Sequence, residues 1–284
     1  MGLKGWRRPR WWAALGATGV ALALAGCGDV RQGPGQGRLL GLPEPASDRA
    51  PAMGQMYVGS WIAAFTVGAL VIGLVIFALI RFRRRNVNEV PRQTTYNLPL
   101  EIVYTLVPIV IVCTLFFYTV KTQNFVQAKA DDNAVHQIDV TGFKWSWAFN
   151  YLEESNPEVG ADVNAVGTIE SPPTLVLPVN EPVRFTLYSP DVIHSFWIPS
   201  FYYKLDVVPG RSNTYDVTPT KVGTFVGKCA ELCGTYHSAM IFNVKIVPVD
   251  EYNAYLNGLK QQGRVGTFYG PTQANPQLQD KEGN

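Results

Sequence analysis

Two long stretches without a charged residue decide most of what this chain can become. Residues 50–80 carry no Asp, Glu, Lys or Arg, and "VGSWIAAFTVGALVIGLVIFALI" fills 58–80. The second stretch, "IVYTLVPIVIVCTLFFYTV", covers 102–120 and is equally free of charge. A helix needs about 20 apolar residues to cross the hydrocarbon core of a bilayer, so each stretch is long enough to span it once. Two buried helices of a water-soluble core are the alternative, and these lengths argue against it. "RFRRR" at 81–85 follows the first span at once, and such arginines stay on the cytoplasmic side. The expected path runs inward through the first helix, turns within "RFRRRNVNEVPRQTTYNLPLE", and returns outward through the second. Pro108 is expected to kink the second helix, and kinks of this kind in membranes usually pack against other helices. Everything after Lys121 is then expected outside.

The composition is 47% hydrophobic and 16% charged, more apolar than a soluble domain requires. The surplus sits in three runs within the first 120 residues. The remaining one is "WWAALGATGVALALAG" (11–26), preceded by the basic "KGWRRPR". A basic segment, a short apolar stretch and small residues describe a secretory signal peptide. It ends in "LAGC" (24–27), which resembles the lipobox of bacterial lipoproteins and implies lipidation of Cys27. An ordinary signal peptide followed by an incidental cysteine is the other reading. The expected organisation is a signal peptide at 1–26, a flexible extracytoplasmic linker at 27–52 and a transmembrane hairpin at 53–121. An outer domain follows at 122–250, and a tail at 251–284.

The outer segment reads as short strands divided by turn signals. "HQIDVTGFKWSWAFNY" (136–151) makes one or two strands; "TLVLPV" (174–179) and "VRFTLYS" (183–189) flank "NEP". "SNTYDVTP" (212–219), "GTFVGK" (223–228) and "MIFNVKIVPV" (240–249) complete the set. Such β-rich runs with Pro and Gly punctuation predict an all-β Greek-key sandwich or barrel, here anchored by the two-helix hairpin. The polar stretch 152–170 reads as a loop insertion, "DEYNAYLNGLKQQ" (250–262) as a short helix, and "GPTQANPQLQDKEGN" as a disordered end. Residues 122–250 hold 14 acidic and 8 basic side chains, a net charge of −6 that the whole-chain value of +2 conceals. An acidic domain on a membrane suits a basic soluble partner, though plain solubility explains the charge equally well. Nucleic acid is not an expected partner.

The densest chemistry lies in "KCAELCGTYHSAM" (228–240). Cys229, Cys233, His237 and Met240 share this segment, and His194 stands in "DVIHSFWIP" upstream. Thiolate, imidazole and thioether together select copper over hard ions, and over zinc once a methionine takes part. One thiolate serves a mononuclear blue-copper site. Two thiolates can bridge two copper ions, with one histidine on each and Met240 as a weak axial ligand. A Cys229–Cys233 disulfide is the plain alternative in an oxidising exterior. Haem attachment is excluded, because no C-x-x-C-H occurs.

These segments resemble cytochrome c oxidase subunit 2. "DVIHSFWIPSFYYKLDVVPGR" (191–211) and "GKCAELCGTYHSAM" (227–240) are similar to its dinuclear copper A (CuA) signature. "GFKWSW" (142–147) is similar to its aromatic segment and "PLEIVYTLVP" (99–108) to its second-helix motif. The resemblance covers about residues 55–249 and implies a cupredoxin-like domain. It implies copper ligation by His194, Cys229, Cys233, His237, Met240 and the main-chain carbonyl of Glu231. It also implies that the Glu231 side chain takes part in a magnesium or manganese site shared with another subunit. Trp145 would receive the electron, and Glu101 would stand at the mouth of a proton path. The implied activity is that of a cytochrome-c oxidase in a bacterial cell membrane. Electrons from a c-type cytochrome would pass through two copper ions to haem in catalytic subunit 1, where oxygen is reduced with proton translocation. Other oxidase subunits and membrane lipid are the further implied partners. Asp191, three residues before His194, is a candidate to orient that region by hydrogen bonding, or a turn-forming residue after Pro190.

Two departures stand out. Many members carry a histidine and a glutamine before the first tryptophan and an aromatic residue between the two; here Phe143, Lys144 and Ser146 occupy those places, while Trp145 and Trp147 remain. The 152–170 loop and the lipobox are unlike mitochondrial members, so the partner cytochrome can differ as well. The rival functions are a membrane-anchored copper carrier or chaperone outside an oxidase, a quinol-oxidase relative of the same fold, and a structural lipoprotein with one disulfide. A quinol-oxidase relative would lack the copper ligands, and all of them are present here.

Overall fold

The computed structural model describes residues 39–270, apart from 87, 89, 91–92 and 133–134. The expected signal peptide, Cys27 and the end segment 271–284 lie outside the described residues. Residues 39–44, treated by themselves, carry one 3-10 turn at Leu39–Gly41.

Helix α1 spans Ala50–Arg81, with a proline in its first turn and a cation, Arg81, in its last. Both placements suit their ends: proline lacks an N–H that would be unpaired there, and a cation favours the negative pole of the helix. Helix α2 spans Leu98–Val126 and starts at an Asn97 cap. Asn97 Oδ1 accepts from Leu100 N at 3.3 Å, while the Glu101 carboxylate accepts from Asn97 N at 3.0 Å. The helix continues through Pro108. Both helices are apolar on all sides, with Leu79 68% and Phe116 67% exposed. Hydroxyls that would be unpaired in lipid bond back to their own helix, as Thr66 Oγ1 does to the Ile62 carbonyl at 2.8 Å. The expectation of two membrane-spanning helices is borne out.

The chain meets the sandwich just before α1. Ala46 N donates to the Ser200 carbonyl at 2.9 Å and Asp48 N to the Thr218 carbonyl at 3.0 Å. Ala46, Ser47 and Ala50 are buried. The end of the expected flexible linker is therefore fixed against strands, because its small side chains fit a closed surface.

Among the described residues, ten strands form two five-stranded sheets. The first has the order β3-β2-β1-β5-β8, built from β1 (His136–Phe143), β2 (Ser146–Tyr151), β3 (Val163–Val166), β5 (Val183–Tyr188) and β8 (Asn213–Val217). The second has the order β4-β10-β9-β6-β7. Its strands are β4 (Thr174–Pro178), β6 (His194–Ile198), β7 (Tyr203–Val207), β9 (Gly223–Cys229) and β10 (Ile241–Val247). Strand β1 pairs with β5, and β10 with β4, in parallel; the other ladders are antiparallel. Aromatic rings fill the space between the sheets, with Phe196 stacked on Phe242 at 5.1 Å and Trp147 edge-on to both. Gly227 makes this packing possible, since a Cβ there would lie 2.0 Å from the Phe242 ring.

Every strand expected from the alternating pattern is present within a residue or two of its expected bounds. Three others were not expected. Strand β3 lies inside the stretch read as a loop insertion, and β6 and β7 lie inside the metal signature. Helix α3 (Val249–Gln261) forms within a residue of the short helix expected at 250–262 and buries Tyr252, Leu256 and Leu259 in the core. The folded domain thus extends past residue 250.

Candidate metal centre

The centre forms where three strands of the second sheet end together. His194 opens β6, Cys229 closes β9, and Met240 immediately precedes β10. The antiparallel β9–β10 ladder continues into the loop through Cys229 N to the Met240 carbonyl at 3.0 Å. Ala230 N donates to the Ser195 carbonyl at 3.0 Å, which fastens the loop to β6. A 3-10 turn, His237–Ala239, then returns His237 toward the cysteines.

The six groups named from the sequence converge. Cys229 Sγ and Cys233 Sγ are 3.9 Å apart. A disulfide would place them about 2.05 Å apart, and both thiols are free. His194 Nδ1 lies 3.9 Å from Cys229 Sγ, and His237 Nδ1 lies 3.6 Å from Cys233 Sγ. The Met240 thioether is 3.8 Å from Cys233 Sγ, and the Glu231 carbonyl is 3.3 Å from Cys229 Sγ. His194, Cys229, Cys233 and Met240 are 0%, 6%, 5% and 1% exposed. Two thiols stand at the middle of a nearly dry pocket, with an imidazole beside each. This soft donor set suits copper. The Glu231 side chain is exposed, and among the described residues His194, Cys229 and Cys233 form the group whose ligand atoms all lie within 4.8 Å of one another.

The surroundings fix the donors. Asp191 Oδ1 lies 2.9 Å from His194 Nε2, so the far ring nitrogen is held while Nδ1 points at Cys229. The same carboxylate accepts from Lys144 N at 2.7 Å and from Val192 N at 2.6 Å. Burial alone would lower the His194 pKa, yet its bonds to Asp191 and Cys229 outweigh burial and hold it above the ordinary value. Burial likewise opposes ionisation of Cys229, but His194 and the backbone at Glu231 and Ser195 bring that thiol down to about 6. Cys233 is pushed up to about 12 by burial and by the adjacent Cys229 charge. Burial and their closeness to one another thus oppose the loss of both thiol protons together.

Trp147 is fully buried, whereas Trp145, in the turn between β1 and β2, is half-buried. Trp145 Nε1 donates to the Cys233 carbonyl at 3.2 Å. Gly234, at φ +123°, lets the indole approach, since a Cβ there would sit 3.1 Å from Nε1. Tyr236 packs edge-on against Trp145 with centroids 5.1 Å apart and is itself 50% exposed. Tyr236 was not singled out from the sequence, although its place beside His237 was the available signal. Glu101 is not part of this cluster; it lies in the first turn of α2, in the cap described above.

Comparison with known proteins identifies the family. The family described as "Cytochrome C oxidase subunit II, periplasmic domain" matches residues 136–247, and its transmembrane domain matches 38–122. A probable cytochrome c oxidase subunit 2 of Streptomyces coelicolor is 42% identical over 261 residues, covering 80% of this chain and 81% of the relative. The cytochrome c oxidase subunit 2 of Corynebacterium glutamicum is 36% identical over 291 residues, covering 83% and 81%. The solved periplasmic domain of subunit II of cytochrome oxidase from Bradyrhizobium japonicum is 30% identical. It covers 48% of this chain and 98% of its own, with a TM-score of 0.41.

Proposed function

This chain belongs to the cytochrome c oxidase subunit II family, and from that premise we propose that it is the electron-accepting subunit of a respiratory haem-copper oxidase. The observation that carries the reading is the pair of free, buried thiols 3.9 Å apart, each with an imidazole within 4 Å. His194, Cys229, Cys233, His237, Met240 and the Glu231 carbonyl would hold two copper ions. Bound there, a copper pair would supply one-electron redox chemistry.

The chain's own residues supply the rest. The β9–β10 ladder and the Ser195 carbonyl fasten the loop that carries four of the ligand side chains, which would limit rearrangement on a change of redox state. Asp191 holds His194 by its outer nitrogen. Phe196, Phe242 and Trp147 close the inner side against water. Trp145 and Tyr236 stand on the outer side, where a soluble c-type cytochrome would arrive. Haem in catalytic subunit 1 would be the acceptor, and oxygen reduction with proton translocation would take place there. The exposed Glu231 carboxylate is free to join a magnesium or manganese ion only with ligands from another chain. The arginine run after α1 supports an extracytoplasmic sandwich. Cys27 in "LAGC" supports a lipidated mature N-terminus, which the mass of the N-terminal peptide would check.

The test is oxygen uptake by the purified oxidase complex with reduced c-type cytochrome as donor. Cys229→Ser should abolish uptake while leaving the haem spectrum unchanged. Undiminished uptake in that variant would contradict the reading, and turnover with quinol but not cytochrome would favour the quinol-oxidase relative.

A further inference from the structure

Residues 264–270 leave α3 and run as a strap over the outer face of the β3-β2-β1-β5-β8 sheet. The Arg264 carbonyl accepts from Asn164 N at 3.1 Å, and Gly266 N donates to the Asp162 carbonyl at 2.8 Å. Phe268 N donates to Asn150 Oδ1 at 2.8 Å, and its carbonyl accepts from Asn150 Nδ2 at 3.1 Å and Thr141 Oγ1 at 3.3 Å. The Tyr269 hydroxyl donates to Asp139 Oδ2 at 2.7 Å. Asp139, Thr141 and Asn150 are polar and mid-strand, yet none is more than 1% exposed. A sheet face with such residues would ordinarily meet water; here the strap covers it and satisfies it.

The end of the strap reaches both segments that flank Asp191. The Phe268 ring packs edge-on against Phe143 at 5.6 Å, and Tyr269 against Tyr188 at 5.4 Å. Gly270, at φ +115°, lies so close to Pro190 that a Cβ would fall 2.6 Å from its Cγ. Phe143 precedes Lys144, whose N–H donates to Asp191, and Pro190 precedes Asp191 itself. We propose that the strap is a positioning element for the metal centre: it holds these two segments together so that the Asp191 carboxylate stays locked on Lys144 N and His194 Nε2. Its effect on metal retention rests on the copper reading of the site; its hold on Asp191 does not.

The test uses the full-length chain with Gly270→Ala, which drives the strap off Pro190, and Tyr269→Phe, which removes the bond to Asp139. Gly258→Ala on α3 is the control, because a Cβ there meets open space. In metal-free protein, amide exchange at Lys144 and Val192 should rise about tenfold in both strap variants, with the β9–β10 amides unchanged. In copper-loaded protein, release to a chelator should accelerate by about tenfold, as for other residues that orient a metal-bound histidine. Unchanged exchange at Lys144 and Val192 would overturn the proposal, as would exchange that rises equally across both sheets. Wild-type protein that takes up no copper would instead sink the proposed function, and the exchange data would still decide whether the strap holds Asp191.

Discussion

Trp145 is the side chain we propose as the electron's entry to the centre, without being a ligand itself. Its indole N–H is fixed on the Cys233 carbonyl, and Tyr236, 50% exposed, packs edge-on against its ring. On that reading, an aromatic ring in that place would shorten the gap to the haem of a docked cytochrome. Trp145→Leu should therefore slow reduction of the centre by a c-type cytochrome by orders of magnitude in stopped-flow measurements. The copper spectrum should remain, because the ring is not a ligand. A mutant reduced at the wild-type rate removes Trp145 from the path. Glu101 poses a different question, because its carboxylate already has a structural duty in the cap of α2. A glutamine can still accept the Asn97 N–H, so Glu101→Gln spares the cap while removing the exchangeable acid proton. Slower oxygen-coupled turnover with unchanged copper reduction would support the proton-path role. Unchanged turnover at saturating donor would leave Glu101 as a cap alone, a placement worth about 0.3–1 kcal/mol near a helix N-terminus.

At the scale of elements, one arginine joins the second helix to the sandwich. Arg184 on β5 donates from Nε and Nη2 to the Asp216 carboxylate on β8 at 2.8 and 2.7 Å. It also bonds Asp132 and the Ala130 carbonyl in the connector after α2. Asp216 is 3% exposed, so Arg184→Met would leave a buried carboxylate without its counter-charge. Removing one partner of such a pair typically costs about 3–5 kcal/mol. Thermal unfolding should show a large loss in Arg184→Met and partial recovery in Arg184→Met with Asp216→Asn; a neutral single variant would contradict the clamp. Strands β9 and β10 were legible because one face meets water and their polarity alternates. Strand β6 was not read as a strand, because four of its five residues are buried and alternation vanishes. Strand β3 was hidden by its four-residue length, and the 264–270 strap by polar residues whose partners are distant in sequence. The metal centre was largely legible because four ligand side chains share one loop. The Asp191 bond to Lys144 N was not, since it joins main chain to side chain across 47 positions.

For the whole molecule, charge and orientation work together. The membrane hairpin ends in an acidic sandwich with a net charge of −6 over 122–250, a field that would draw a basic cytochrome toward Trp145 and Tyr236. Its reach is about 8–10 Å at physiological salt, so the bimolecular rate of copper reduction should fall as ionic strength rises; a rate indifferent to salt would remove the steering. All of this depends on what the two thiols hold. The most direct measurement is copper content and electron paramagnetic resonance of the wild-type chain after reconstitution with excess copper. The account predicts two copper ions per chain and one unpaired electron with hyperfine structure from both nuclei. One copper per chain with a mononuclear signal, zinc in its place, or a metal-free Cys229–Cys233 disulfide would contradict it.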